Sequence, residues 1–300
     1  MTLDIETRQL TCAFGDTLAL DGVDLHIPAG TLCGLIGRNG SGKTTLLETI
    51  AAFRRPSSGD VLVGGRDPYE DPASMASTCL VRETGDLEPD CSVDDSLWLS
   101  RLLRPRWNDA QARELLERFE LDPGRKVRSL SLGQRSALGT VMGLASNAPL
   151  TMFDESYLGL DAVSRRAFYD ELLADYLRTE RTVIVSTHLI GEVAPLLDHV
   201  IVLDHGRVTL HEDVETLRSR GTSLVGPVEA VDRLVADLIV VDERRLGPTK
   251  QVAVYGHFGE PRRQAARELG VEVGPVALAD LLVHLTDLDD PTRAATQEPA

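Results

Sequence analysis

Glycine, lysine and threonine at fixed spacing set the first expectation. Gly37 to Thr44 read GRNGSGKT, which fits the pattern G-x-x-x-x-G-K-[ST]. Gly37, Gly40 and Gly42 let the backbone wrap closely, so that the N–H groups of a loop running through Asn39 and Ser41 point at phosphate oxygens. Lys43 has the reach for the β- and γ-phosphates, and the Thr44 hydroxyl is placed to ligate Mg²⁺. With Thr45 these residues open a helix, whose N-terminus adds free donors and a favourable dipole. The ligand predicted is a nucleoside triphosphate.

A metal held by Thr44 needs an acidic partner at the end of a neighbouring strand. LTMFDE (150–155) supplies Asp154 for that role and places Glu155 next to it, where a carboxylate can act as base toward an attacking water. The bland alternative for Asp154 is a strand-end carboxylate capping the next turn. TVIVS (182–186) is followed by Thr187 and His188. A lone histidine is often structural, but at the end of a third apolar strand it can bond the γ-phosphate and hold the water in line.

These groups need a frame. TLCGLIG (31–37), LTMFD (150–154), TVIVS and HVIVLD (199–204) have the length and continuous apolarity of buried parallel strands. Helical patterns at 42–53 and 162–177 alternate with them, which predicts an α/β fold with a mostly parallel sheet. From Ser92 to Asn147 the periodicity is helical throughout, which predicts a helical subdomain inserted in the α/β core. HVIVLDHGRVTLHE reads as two strands around a His205-Gly206 turn. After Gly221 the order β-α-β-β-α-β marks a second, smaller α/β unit over 221–286, and the acidic stretch 287–300 is expected to be a disordered tail.

Composition excludes several classes. The net charge of -16 over 300 residues argues against nucleic acid as a partner. The four cysteines are scattered without a C-x-x-C pair, which favours a reducing compartment over disulfides or a zinc site. No apolar run approaches the roughly 20 residues of a spanning helix.

Taken in order, Gly37–Thr45, LSLGQ (130–134), TMFDE, GLD (159–161) and His188 resemble the nucleotide-binding subunit of an ATP-binding cassette (ABC) transporter, over residues 1–220. The resemblance implies a P-loop core with an antiparallel β portion at the N-terminus, and ATP and Mg²⁺ as ligands. It implies that Phe14 stacks on adenine; a core aromatic is the competing assignment. Ser131, Gly133 and Gln134 would cap the ATP held by a second nucleotide-binding subunit packed head to tail, with Asp161 beside them. The partners implied are that second subunit, expected as a homodimer, and a separate multi-span membrane subunit of a bacterial multidrug or antibiotic exporter. The location implied is cytoplasmic, at the inner face of the membrane. The membrane subunit would dock near SVDDSLWLSRLLRPRW (92–107), where Trp98 and Trp107 are candidate contacts.

This sequence departs from the family pattern at two places. Leu132 stands where the family has Gly, and Glu83 takes the place of a Gln that touches Mg²⁺. A carboxylate can ligate the metal, although Glu83 also reads as a solvated loop residue. A soluble non-transport ABC ATPase, or a nucleotide-dependent regulator, is the alternative function.

Overall fold

The computed structural model describes residues 2–82 and 87–288. Its strands are β1 (Ile5–Phe14), β2 (Thr17–Ile27), β3 (Leu32–Ile36), β4 (Ser58–Val63), β5 (Thr78–Arg82), β6 (Leu150–Asp154), β7 (Thr182–Thr187), β8 (His199–Asp204) and β9 (Arg207–Asp213), then β10 (Gly221–Pro227), β11 (Ile239–Leu246), β12 (Thr249–Tyr255) and β13 (Glu272–Pro275). The helices are α1 (Lys43–Ile50), α2 (Pro72–Ser77), α3 (Val93–Leu103), α4 (Asp109–Arg118), α5 (Leu132–Ala145) and α6 (Ala162–Thr179), then α7 (Ile190–Val193), α8 (Val214–Arg220), α9 (Val228–Val235), α10 (Glu260–Glu268) and α11 (Leu278–Leu288).

Every residue of β3, β6 and β7 is buried. Such strands belong at the centre of a sheet covered on both faces. They form the middle of a six-stranded sheet ordered β5-β6-β7-β3-β8-β9, in which β5, β6, β7 and β3 run parallel. The register sets Arg82 opposite Asp154, Asp154 opposite Ser186 and Ile36 opposite Thr187. The carboxyl ends of four strands therefore share one edge, the usual place for a ligand in an open α/β sheet. A separate antiparallel sheet, β2-β1-β4, packs its apolar residues into the same core: Leu10, Val23 and Val61 join Leu47, Met152 and Ile184.

Polar caps set the helical stretch between β5 and β6. Ser92 and Asp95 form a capping box at α3, Asn108 caps α4, and Ser131 and Gln134 form a second capping box at α5. Buried Leu115, Leu116, Leu138 and Val141 give this stretch its interior.

Contacts divide the chain into two compact units, residues 1–188 with 201–211, and residues 189–200 with 212–300. The second unit therefore takes α7 and α8 as well as the β-α-β-β-α-β run, so its edge falls near 212 rather than the 221 expected from sequence. The physical reason is that α8 continues directly into β10 and buries Val214 and Leu217, with α11 packed against α7 and α8. Its antiparallel sheet, ordered β11-β12-β10-β13, carries a core of Leu224, Val231, Leu234, Val252, Val254 and Phe258. The expected tail begins at Asp287, whereas α11 continues to Leu288; residues 289–300 lie outside the description. Among the described residues no helix is long and apolar enough to cross a membrane.

Candidate active site

Between β3 and α1 the chain makes the turn that the glycine spacing predicts. Gly42 sits at φ 107°, and a Cβ there would come within 2.4 Å of the Ala19 carbonyl oxygen. Only glycine fits both limits. Gly42 is also the N-cap of α1 and offers no side chain to the first turn, which leaves its N–H groups for a ligand. An open cavity of about 670 Å³ lies in front of this helix end. Asn39, Gly40, Gly42, Lys43, Thr44, Thr45, Asp154, Glu155 and His188 all line it, with Ala19 and Leu158. The structure thus gathers residues from three strand ends around one space. Gly37 is buried at the base of the loop, where a Cβ would meet the Leu203 carbonyl oxygen at 2.3 Å and the Ser41 hydroxyl at 2.5 Å.

Lys43 is only 5% exposed, and its ammonium donates to the Gly37 carbonyl at 2.8 Å and the Arg38 carbonyl at 3.1 Å. Its third neighbour is Glu155 Oε1 at 3.2 Å. Carbonyls and a carboxylate offer a buried ammonium the same type of acceptor that phosphate oxygens offer, so ligand and protein can exchange places around it.

The Thr44 hydroxyl donates to Asp154 Oδ2 at 2.7 Å. Asp154 is 4% exposed, and its Oδ1 has no hydrogen-bond partner among the described residues. A buried, unpaired carboxylate oxygen beside a hydroxyl fits a hard divalent cation such as Mg²⁺. Glu83, the third candidate ligand from sequence, lies outside the described residues.

Glu155 adopts φ 47°, an uncommon value for a residue with a side chain, and its backbone N–H bonds the Ser186 carbonyl of β7 at 3.2 Å. The turn places the carboxylate between Lys43 and His188, whose Nδ1 is 3.2 Å from Glu155 Oε2. Tyr157 completes the group. Its ring is 1% exposed, and its hydroxyl lies 3.0 Å from the same Nδ1 and accepts the His188 backbone N–H at 3.2 Å. Burial pushes the phenol above its ordinary pKa. Hydrogen bonds from Thr187 and the His188 N–H oppose that rise, and the charges of Glu155 and Asp154 reinforce it. No residue spacing marks Tyr157: its partner is 31 positions away.

The remaining sequence candidates lie outside the cavity lining. Phe14 is 46% exposed, which excludes a core role, and the Arg54 guanidinium covers one face of its ring at 4.4 Å. Asp161 caps α6, accepting the Ser164 N–H at 2.7 Å. Ser131 is exposed and accepts the Gln134 N–H at 3.2 Å, and Gln134 Oε1 accepts the Ser131 N–H at 3.1 Å. The serine hydroxyl proton is left over from this box. Gly133 packs against Gly159: a Cβ on Gly133 would lie 2.3 Å from the Gly159 carbonyl oxygen. The Leu132 side chain also packs against Gly159, and is itself 46% exposed.

Comparison with known proteins identifies the family. The ABC transporter family model matches residues 20–157. The daunorubicin/doxorubicin resistance ATP-binding protein DrrA of Streptomyces peucetius is 31% identical over 324 aligned positions, spanning 100% of this chain and 94% of its own length. The chain belongs to the ABC transporter family. Daunorubicin resistance ATP-binding protein DrrA3 of Streptomyces coeruleorubidus is 31% identical across 92% of this chain and 93% of its own. The aliphatic sulfonates import ATP-binding protein SsuB of Escherichia coli is 32% identical, over 69% of this chain and 80% of its own. Among solved structures, the dimeric ABC cassette MJ0796 superposes with a TM-score of 0.63 at 25% identity, over 70% of this chain and 98% of that one. As an ABC ATPase the chain binds and hydrolyses ATP.

Proposed function

We propose that this ABC ATPase powers a separate membrane-spanning exporter, working as a head-to-tail homodimer that closes on ATP and opens after hydrolysis. The observation that carries the proposal is the extent of similarity. Relatives named for drug resistance align over the second unit as well as the cassette, whereas the import relative SsuB aligns over 69% of this chain.

In this reading the loop from Gly37 to Gly42 and the first turn of α1 hold the phosphates, with Ser41 and Thr45 at its two sides. Lys43 turns from Gly37, Arg38 and Glu155 to the β- and γ-phosphates. That exchange frees the Glu155 carboxylate to take a proton from the attacking water, while His188 donates to the γ-phosphate and keeps the water in line. Mg²⁺, held by Thr44 and Asp154, supplies charge neutralisation at the phosphates. Water adds to the γ-phosphorus, the bond to the ADP oxygen breaks, and the products are ADP and inorganic phosphate. Phe14 stacks its free face on adenine.

The lid belongs to the other copy. Ser131, Gly133 and Gln134 stand outside their own chain's cavity, yet they form a helix N-terminus with a hydroxyl proton and backbone donors to spare. Closing a second copy over the γ-phosphate gives ATP its preference for the closed pair. The membrane subunit docks on α3, which exposes Trp98, Leu99, Leu102 and Leu103 along one helix. Beside it lies an apolar groove lined by Phe53, Cys79, Leu103 and Met142. Trp107 is half-buried and donates to Asp109 at 3.0 Å, which makes Trp98 the stronger contact. Docking there places the ATPase at the cytoplasmic face of the membrane.

The test is co-purification from membranes with ATP and the Glu155→Gln variant. A complex holding a polytopic protein and two copies of this chain is expected. Recovery of soluble monomer alone, with ATP bound, would refute the dimer and the docking together.

A further inference from the structure

We propose that Tyr157 is a positioning residue that fixes neutral His188 as its Nε2–H tautomer. The proposal rests on the reading of His188 as a donor to the γ-phosphate, and adds what makes that donation possible without a charged ring.

A neutral imidazole carries one N–H and one bare nitrogen, and the partner of one nitrogen decides the state of the other. The Tyr157 oxygen already accepts the His188 backbone N–H at 3.2 Å. With its oxygen accepting that N–H, the buried hydroxyl still has its own proton to place on an acceptor. His188 Nδ1, at 3.0 Å, is placed to take it. When Nδ1 accepts, the ring proton sits on Nε2, the nitrogen that can then give it to a phosphate oxygen. The phenol keeps its proton through the neutral range, because burial and the nearby carboxylates hold its pKa above the ordinary value.

Glu155 is the competitor, with Oε2 3.2 Å from the same Nδ1. A carboxylate can only accept, so if it took an Nδ1–H the neutral ring would show the phosphate a bare Nε2. Its position has another cause. Glu155 Oε1 lies 3.2 Å from the Lys43 ammonium, a buried cation with no other carboxylate paired to it in the structure as described. Tyr157 therefore separates two tasks: it holds the histidine, and leaves the Glu155 carboxylate for water. The charged and titratable groups facing this pair are Lys43 from α1 and Asp154 and Glu155 from the end of β6.

Nitrogen-15 NMR of the imidazole in the full-length, nucleotide-free protein reads the tautomer directly. The His188 signal is assigned by its loss in His188→Gln. In wild type at about pH 8, above the ordinary imidazole pKa, Nε2 is expected to be protonated and Nδ1 bare. Tyr157→Phe should move the ring toward Nδ1–H and slow ATP turnover about tenfold, the scale of one lost hydrogen bond, while the monomer still binds ATP. A wild-type spectrum dominated by the neutral Nδ1–H form overturns the proposal, even if the phenylalanine variant does not fold. So does a Tyr157→Phe protein with unchanged spectrum and turnover. Wild-type ATPase activity in His188→Gln would instead remove the catalytic role of His188 and leave the tautomer result standing.

Discussion

Lys43 and Lys250 are both nearly buried, and their surroundings are opposite. Lys250, on β12 of the second unit, meets Asp232 at 2.6 Å and Glu243 at 2.8 Å. Hydrogen bonds from its ammonium to those carboxylates raise its pKa above the usual lysine value. Lys43, in the cassette, has two backbone carbonyls and, among the described residues, a single carboxylate at 3.2 Å that His188 also approaches. A lysine with fixed counter-charges ties structure together. One resting on carbonyls and a shared carboxylate can let go of them. The same contrast holds for carboxylates: Asp154 keeps a buried oxygen without a partner among the described residues, whereas Asp232 is half exposed and paired.

Four substitutions put this contrast under strain. Glu155→Gln should reduce ATP hydrolysis by about 10²–10⁴-fold, the range of general-base catalysis, with ATP still bound and a dimer seen by light scattering. A variant that hydrolyses at the wild-type rate would take Glu155 out of the chemistry. Lys43→Ala should weaken ATP binding by roughly 100-fold, as expected for lost charge-assisted bonds. A fluorescent ATP analogue measures this, and the melting temperature should stay near wild type. If instead the protein melts early and still binds nucleotide, Lys43 is a structural lysine like Lys250.

Ser131→Ala should slow turnover about tenfold through loss of one charge-assisted donor. ATP affinity of the monomer should be unchanged, and loss of the cap should destabilise α5 by about 1 kcal/mol. Weaker binding to the monomer would put the serine in its own chain's site. Lys250→Met is the smallest effect, a loss of about 1 kcal/mol in stability with ATPase activity kept, because both carboxylates face solvent. Its pH dependence has a definite sign. A raised folded-state pKa stabilises fully below the unfolded value of about 10.4, and that advantage fades as pH climbs through the higher folded value. Denaturant melts of wild type and variant should therefore differ at neutral pH and converge in strong alkali.

The cradle was legible in the sequence because its chemistry is local. Gly37 to Thr45 form one continuous loop and helix start, and Asp154, Glu155 and His188 each end a run of buried residues that only a central strand explains. The parallel sheet followed from the same runs. Tyr157 was not legible, since what singles it out is a hydroxyl brought to His188 by the pairing of β6 with β7. Arg54 over Phe14 is hidden for the same reason: nothing in the spacing places a guanidinium on that ring. The edge of the second unit falls near 212 rather than 221 because packing assigns α8 to the later unit, and nothing in its residue spacing announces that.

Gly133 and Gly159 touch with no room for even a methyl group between them, so the two loops behave as a single casting. An alanine at Gly133 would have to push Gly159 aside, and the neighbouring Leu158 carbonyl, gripped by Ser136 at 2.6 Å, resists that movement. Variation along this segment should accordingly be lopsided: position 132 can wander among side chains, while 133 and 159 stay bare. A shift at one end of that casting is felt at the other, and a few residues further back lies Glu155.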